Sequence, residues 1–257
     1  AVFAGLLTKI GVYSLIRFNT LTGMDDLGPV ILAVAGTTMV VGVAGALAQD
    51  DVKRILSFHI VSQIGYMLMG LGLFTVAGVA GAVLFLIHQI PIKTVLFLVG
   101  GLIEEHEGTS ALDRIGGLAS RQPLIAGFFA VLALSLAGIP PFSGFVAKLA
   151  LVDAGIADAA TPIVVVSLIG SILTLLSMAK IWLGVFWGKP QQAAPRGFGA
   201  MPSHAGPLGH KLMVSTTGVA VVGTLAVAVF AGPLWSLSER AAADLVDPTR
   251  YVAGVLG

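Results

Sequence analysis

Six ionisable side chains lie inside long apolar runs of this sequence: Lys9, His59, His88, Lys93, Lys148 and Lys180. All six are bases, and the thirteen Asp and Glu residues are expected in the connections between the runs or in the tail. A charge at mid-bilayer costs about 2.5–3.5 kcal/mol on insertion scales, so such groups face a bundle interior or a water-filled path. Low dielectric disfavours the charged form of an ammonium. An enclosed lysine can therefore gain and lose a proton during turnover, and histidine changes charge near neutrality with little tuning. A row of such bases suits a proton relay and suits Na+ poorly, because Na+ needs oxygen ligands. The expected chemistry is proton transfer through Lys9, Lys93, Lys148, His88 and His59. The sequence offers no cofactor ligand set and no metal-binding spacing.

The local surroundings sharpen this reading. His59 is followed by Ser62, Gln63 and Tyr66 at i+3, i+4 and i+7, which makes one polar stripe on a helix. Gln63 is thus a further candidate, and a packing role for His59 is the competing reading. Pro91 falls between His88 and Lys93, removes a backbone donor and clashes with the Ile87 carbonyl, which predicts a kink there. Gln89 and Lys93 share a helix face; His88 and Lys93 do not. Lys180 is a possible relay member, but it lies seven residues from Trp187, roughly 10 Å along a helix, so its stem can also snorkel to the interface. The run Gly138-Ile139-Pro140-Pro141-Phe142-Ser143-Gly144 cannot continue a regular helix. Irregular backbone at membrane depth is tolerated only inside protein or at a water-filled cavity, and broken helices mark ion sites in many transporters. Lys148 follows that break by about one turn.

These groups need apolar helices to hold them. The chain of 257 residues is 56% hydrophobic and only 11% charged, against about 25% charged in a soluble domain. Its 33 glycines suit closely packed membrane helices. Without cysteine there is no disulfide, and a net charge of +1 gives no argument for nucleic acid. A span takes roughly 20 apolar residues. Seven segments qualify or nearly do: Ala1–Ile16, Pro29–Ala48, Ile55–Phe74, Val76–Ile103, Pro123–Val152, Pro162–Trp187 and Leu212–Leu237. The expected fold is all-α, a polytopic bundle in a single transmembrane domain over 1–257, with one helix broken at Gly138–Pro141. The longest connections, Glu104–Gln122 and the Pro- and Gly-rich Gly188–His210, are too small to fold alone, and His204 and His210 read as solvated. Lys53, Arg54, Arg114, Arg121, Lys189, Arg196 and Lys211 lie in one set of connections, against Arg17, Arg240 and Arg250 in the other. The positive-inside rule then puts the connections near 50, 112 and 200 in the cytoplasm and the C-terminus outside. The opening residues already sit inside an apolar run, as expected of the C-terminal part of a longer chain.

The runs LLTKIGVYSLIR (Leu6 to Arg17), DDVKRILSFHIVSQIGYM (Asp50 to Met67), HQIPIKTVLFLVGG (His88 to Gly101) and LAGIPPFSGFVAK (Leu136 to Lys148) resemble the antiporter-like membrane subunits shared by respiratory complex I and the multisubunit cation/proton antiporters. With LTLLSMAKIWLGVFWG (Leu173 to Gly188), the wording is most similar to the D-type branch of the Mrp (Mnh) antiporters. The resemblance covers Ala1 to about Gly188. It implies the C-terminal half of a fourteen-helix fold with two inverted five-helix repeats, the second at roughly 28–188 and the final helix at 212–237. It also implies that Lys9 is the central lysine joining two half-channels and that Lys93 and Lys148 are relay lysines. His59 falls where the family often has a polar residue. The family commonly has a second His or a small residue near His88, where this chain has Gln89 and Pro91. In the family the first repeat carries a membrane Glu, which accounts for the missing acids here.

The resemblance further implies a transporter subunit rather than an enzyme, in a bacterial cell membrane, with other membrane subunits, the bilayer, protons and monovalent cations as partners. Exchange of H+ for Na+ is the leading expectation. The alternative is the corresponding proton-pumping subunit of a complex I-type NADH:quinone oxidoreductase or a membrane hydrogenase. A bundle that only scaffolds its partners is the third reading, and four buried lysines argue against it.

Overall fold

The computed structural model describes residues 2–22, 25–189, 207–247 and 249. Nearly all of them are helical, and no strand occurs among them. In chain order the α-helices are α1 (Val2–Thr22), α2 (Gly28–Leu47), α3 (Val52–Leu73), α4 (Val76–Glu107), the single turn α5 (Leu118–Arg121), α6 (Pro123–Ala137), α7 (Ser143–Ala157), α8 (Thr161–Ile181), α9 (Pro207–Val229) and α10 (Ala231–Val246). A π-helical turn, Trp182–Trp187, extends α8. Five of these, α2, α3, α4, α8 with its extension, and α9, are long and apolar enough to cross a membrane. The other two expected spans are α1, which carries Lys9 and Arg17, and the broken pair α6 and α7. The chain is a multi-pass membrane protein.

The helix ends follow local chemistry. Asp51 caps α3 by accepting from the Arg54 amide at 3.0 Å, and Thr75 caps α4 by accepting from the Gly78 amide at 3.0 Å; such caps satisfy amides that lack intrahelical partners. Prolines open α2, α6 and α8, where a missing N–H costs nothing. Gly108 ends α4 at φ +72° and Gly138 ends α6 at φ +88°, the left-handed conformation glycine adopts at no steric cost.

Several sequence expectations are corrected by these boundaries. The final span expected at Leu212–Leu237 is two helices, because Pro233 lacks an amide and crowds the carbonyl of Val229, where α9 stops. The expected break within Pro123–Val152 is present, between Ala137 and Ser143, but the second helix continues past Val152 to Ala157. α4 runs unbroken through Pro91 and on to Glu107, so Glu104, Glu105 and Glu107 are helical rather than in a loop. Asp153 on α7 and Glu239 and Asp244 on α10 are also helical. Asp153 is exposed. Of the Gly188–His210 connection, residues 190–206, including Arg196 and His204, lie outside the described residues. His210 belongs to α9, its ring edge-on to His106 with centroids 4.8 Å apart and Nδ1 3.6 Å from Glu105, so it is packed rather than simply solvated.

Small residues let the helices close on one another. A Cβ on Gly65 of α3 would lie 2.7 Å from the Ala35 carbonyl of α2, and one on Gly42 would run into the backbone of Ser62. Close approach of this kind substitutes for the hydrophobic drive that lipid does not supply. The buried apolar residues form two clusters stacked along the helices. One takes Val52–Leu56 of α3, Ile92–Ile103 of α4, Ile125–Leu136 of α6 and Met178–Ile181 of α8. The other takes Tyr66–Leu73 of α3, Val79–Phe85 of α4, Ala147–Ala154 of α7 and Ile163–Val164 of α8. On α3, α4, α7 and α8 the buried polar residues fall between the clusters or at their inner margins, and the α6–α7 break falls at the same level. The fold is two apolar slabs with a polar layer between them.

Candidate functional site

The polar layer draws on four helices. From α3 come His59, Ser62, Gln63 and Tyr66; from α4, His88, Gln89 and Lys93; from α7, Ser143 and Lys148; from α8, Ser167, Thr174 and Ser177, all buried. Lys9 of α1 is also buried. The α3 stripe does not face a single neighbour. Ser62 donates to the Met39 carbonyl of α2 at 3.0 Å, Gln63 accepts from Gln89 Nε2 of α4 at 3.2 Å, and His59 and Tyr66 reach α8.

The helix break positions Lys148. α6 ends at Ala137, whose carbonyl lacks an intrahelical partner, and Lys148 Nζ donates to it at 2.9 Å. The partial negative charge at a helix C-terminus favours a cation there. Lys148 Nζ also lies 4.9 Å from the centre of the Tyr66 ring, within cation–π range. The Tyr66 ring is stacked on Phe85 at 5.3 Å, and its hydroxyl donates to the Ser167 carbonyl at 2.6 Å. Gly138 leaves space for the lysine stem, since a Cβ there would sit 2.8 Å from Lys148 Cδ. Across the break, Ser143 at the start of α7 bonds His88 Nδ1 at 2.8 Å.

Lys93 differs from Lys148. It is completely buried, and its Nζ has no hydrogen-bond partner among the described residues. It stands within electrostatic range of Lys9 and of Lys148. His59 Nδ1, His88 Nε2, Gln63 Nε2 and Gln89 Oε1 are likewise buried and unpartnered. Unpaired buried polar groups carry a desolvation cost of about 1–3 kcal/mol each, and several in one layer mark a region not arranged for stability alone. Lys9 Nζ donates to Thr8 Oγ1 at 3.2 Å, and Gly5, one turn earlier, packs so closely on α4 that a Cβ would meet the Ile90 carbonyl at 3.0 Å. α1 therefore sits against the turn of α4 that carries Lys93.

Lys180 is not brought into this layer. Its Nζ donates to the Leu47 and Gln49 carbonyls at 2.9 and 2.7 Å and pairs with Asp50 at 2.7 Å. All three of its N–H bonds have partners at the end of α2. The snorkelling alternative fits this placement. Sequence reasoning missed the serines. Ser167, Ser171, Thr174 and Ser177 recur at i, i+4, i+7 and i+10, a one-faced hydroxyl stripe on α8 that was legible in the sequence. Ser143 had no such signal, because its role depends on the break.

A membrane bundle with a basic layer between apolar slabs, anchored on a broken helix, is the class this geometry defines. Residues 1–174 match the family described as NADH:quinone oxidoreductase/Mrp antiporter, TM, and the chain belongs to that family. It is 40% identical over 259 residues to the D component of the Na(+)/H(+) antiporter of Alkalihalophilus pseudofirmus, covering 100% of this chain and 51% of that one. It superposes on a chain of the Mrp complex from Dietzia sp. with a TM-score of 0.88 at 36% identity, over 99% of this chain and 54% of that one. A chain of respiratory complex I from Thermus thermophilus shares the fold, with a TM-score of 0.75 at 24% identity over 94% of this chain and 50% of that one. The chain spans about half the length of the relatives it matches.

Proposed function

We propose that this chain is the proton-translocating half of a subunit in a multisubunit monovalent cation/proton antiporter, exchanging H+ for Na+. The observation that carries the reading is Lys93, a buried ammonium site without a partner among the described residues, within electrostatic range of both Lys9 and Lys148. Protons pass among Lys9, Lys93 and Lys148 with His88 and His59 beside them, each hop bridged by water. A lysine that can release its proton to a neighbour and take another is suited to this work. Lys148 rests on the Ala137 carbonyl at the end of α6, whereas Lys93 has no hydrogen-bond partner among the described residues, so the two offer a passing proton different surroundings. No buried acid lines the layer among the described residues, so the cation binds elsewhere in the assembly. α2, α3, α4, the broken α6–α7 pair and α8 form the second five-helix repeat, in a bacterial cell membrane with the C-terminus outside.

The similarity to the antiporter component of Alkalihalophilus and to the Mrp chain supports exchange over electron-driven pumping. The test is proton/cation exchange in everted vesicles carrying the full-length subunit with its partners, followed with a pH-gradient dye. Addition of Na+ should collapse the gradient, and Lys148→Ala should abolish the response. Exchange undiminished by that substitution would sink the relay. Pumping driven by NADH with no response to any cation would move the chain to the complex I branch.

A further inference from the structure

Two serines from different helices hold the two buried histidines, and they hold them in opposite senses. Ser177 Oγ donates its single hydrogen to the Thr174 carbonyl at 2.9 Å. Its oxygen is 2.5 Å from His59 Nε2, so it accepts there, and His59 is the Nε2–H tautomer with a bare Nδ1. Ser143 Oγ has His88 Nδ1 as its partner at 2.8 Å and no backbone acceptor among the described residues. If His88 donated from Nδ1, both the serine hydrogen and His88 Nε2 would be left unsatisfied; if the serine donates, only Nε2–H is. The second arrangement leaves fewer buried groups unpaired, each of which costs about 1–3 kcal/mol. His88 is therefore also the Nε2–H tautomer. In His59 the nitrogen without a partner is the bare Nδ1, and in His88 it is the protonated Nε2.

Building on the proton-relay reading, we propose that His59 is the histidine that carries the proton, that His88 is a neutral hydrogen-bond donor, and that Ser177 and Ser143 are the positioning residues that divide these roles. His59 takes a proton at Nδ1, becomes an imidazolium still donating from Nε2 to Ser177, and releases the same proton from Nδ1. No other bond changes. His88 offers N–H on its free side, has no lone pair there to receive a proton, and is suited to orienting water beside Lys93 and Lys148. Its lone pair at Nδ1 is occupied by Ser143. The two residue types are the same; the serine on the neighbouring helix decides which nitrogen is left free, and that decides the chemistry.

The experiment is 15N solid-state NMR on histidine-labelled full-length subunit, assembled with its partners in lipid vesicles, with His59 and His88 assigned by loss of signal in His59→Gln and His88→Gln. Both should read as Nε2–H tautomers at neutral pH. Ser177→Ala should bring in the Nδ1–H form of His59, and Ser177→Thr should restore the original state, a response that a merely structural serine would not give. In exchange assays at equal amounts of assembled complex, His59→Gln should lose about 100-fold more activity than His88→Gln, the lower end of what a positioned proton-transfer group contributes. An Nδ1–H tautomer at either wild-type histidine, an unchanged His59 tautomer in Ser177→Ala, or a larger loss from His88→Gln than from His59→Gln overturns the assignment. If Lys93→Met and Lys148→Ala leave exchange intact, the relay itself is wrong, while the tautomers are still read independently.

Discussion

Lys93 and Lys180 are the same side chain on neighbouring parts of one bundle, and the protein treats them differently. Lys180 sits at the end of α2 with two carbonyls and a carboxylate around its ammonium. That end of the molecule carries other paired charges: Lys53 with Glu104, Arg121 with Glu107, and Asp51 accepting from Ser110. Lys93 sits in the layer between the slabs with no hydrogen-bond partner among the described residues. A paired ammonium ties elements together; an unpaired buried one costs stability and is retained for what its proton can do. The proposed relay rests on this contrast: one lysine tied to neighbouring elements, the other without a hydrogen-bond partner among the described residues.

The comparison can be broken by substitution. The largest effect should come from Lys93→Met and Lys148→Ala, which should reduce exchange by about 100-fold or more, the lower end of what proton-transfer groups contribute. Lys93→Met should do so without lowering the melting temperature of the detergent-solubilised complex, because it removes an unpaired buried charge. A marked loss of stability in Lys93→Met would mean that its ammonium is satisfied after all. Gly138→Ala should come next. It forces a side chain into φ +88° and towards the Lys148 stem, at a backbone cost of about 1–2 kcal/mol, and exchange should fall further than stability does. Normal exchange in that variant would show that the seat of Lys148 is not critical.

Lys180→Met should give the reverse pattern. Stability should drop by about 1–2 kcal/mol as two carbonyls lose a donor, while exchange per assembled complex holds. A Lys180→Met complex that is stable but inactive would return this residue to the relay and collapse the distinction. The smallest effect should be that of Lys53→Ala. Its ion pair with Glu104 is about two-fifths exposed on both sides, 41% and 42%, and such pairs contribute at most about 1 kcal/mol. A shift in melting temperature beyond the Lys180→Met value would mean that the charged end acts as one network.

Apolar spans and the base-only pattern were legible in the sequence because both are properties of composition along a helix. The break at Gly138–Pro141 was legible for the same reason: glycine and proline act locally, whatever surrounds them. The α9–α10 split was missed although Pro233 marks it, because the apolar run continues across it to Leu237. The extension of α4 to Glu107 was missed because acids at its end read as loop, while the cap at Gly108 sits one residue further on.

A membrane bundle, one broken helix and a set of candidate bases within the apolar runs, Lys180 among them, could all be read from local sequence. It settled these because hydropathy and backbone conformation are set residue by residue. Only the tertiary structure decided which lysine is tied and which is unpaired, since Lys180 finds its partners more than 130 residues away. It alone decided how the histidines are held, because Ser177 and Ser143 lie 118 and 55 residues from the rings they touch. Hydrogen-bond partners across such distances depend on packing, and packing is not written in any local pattern.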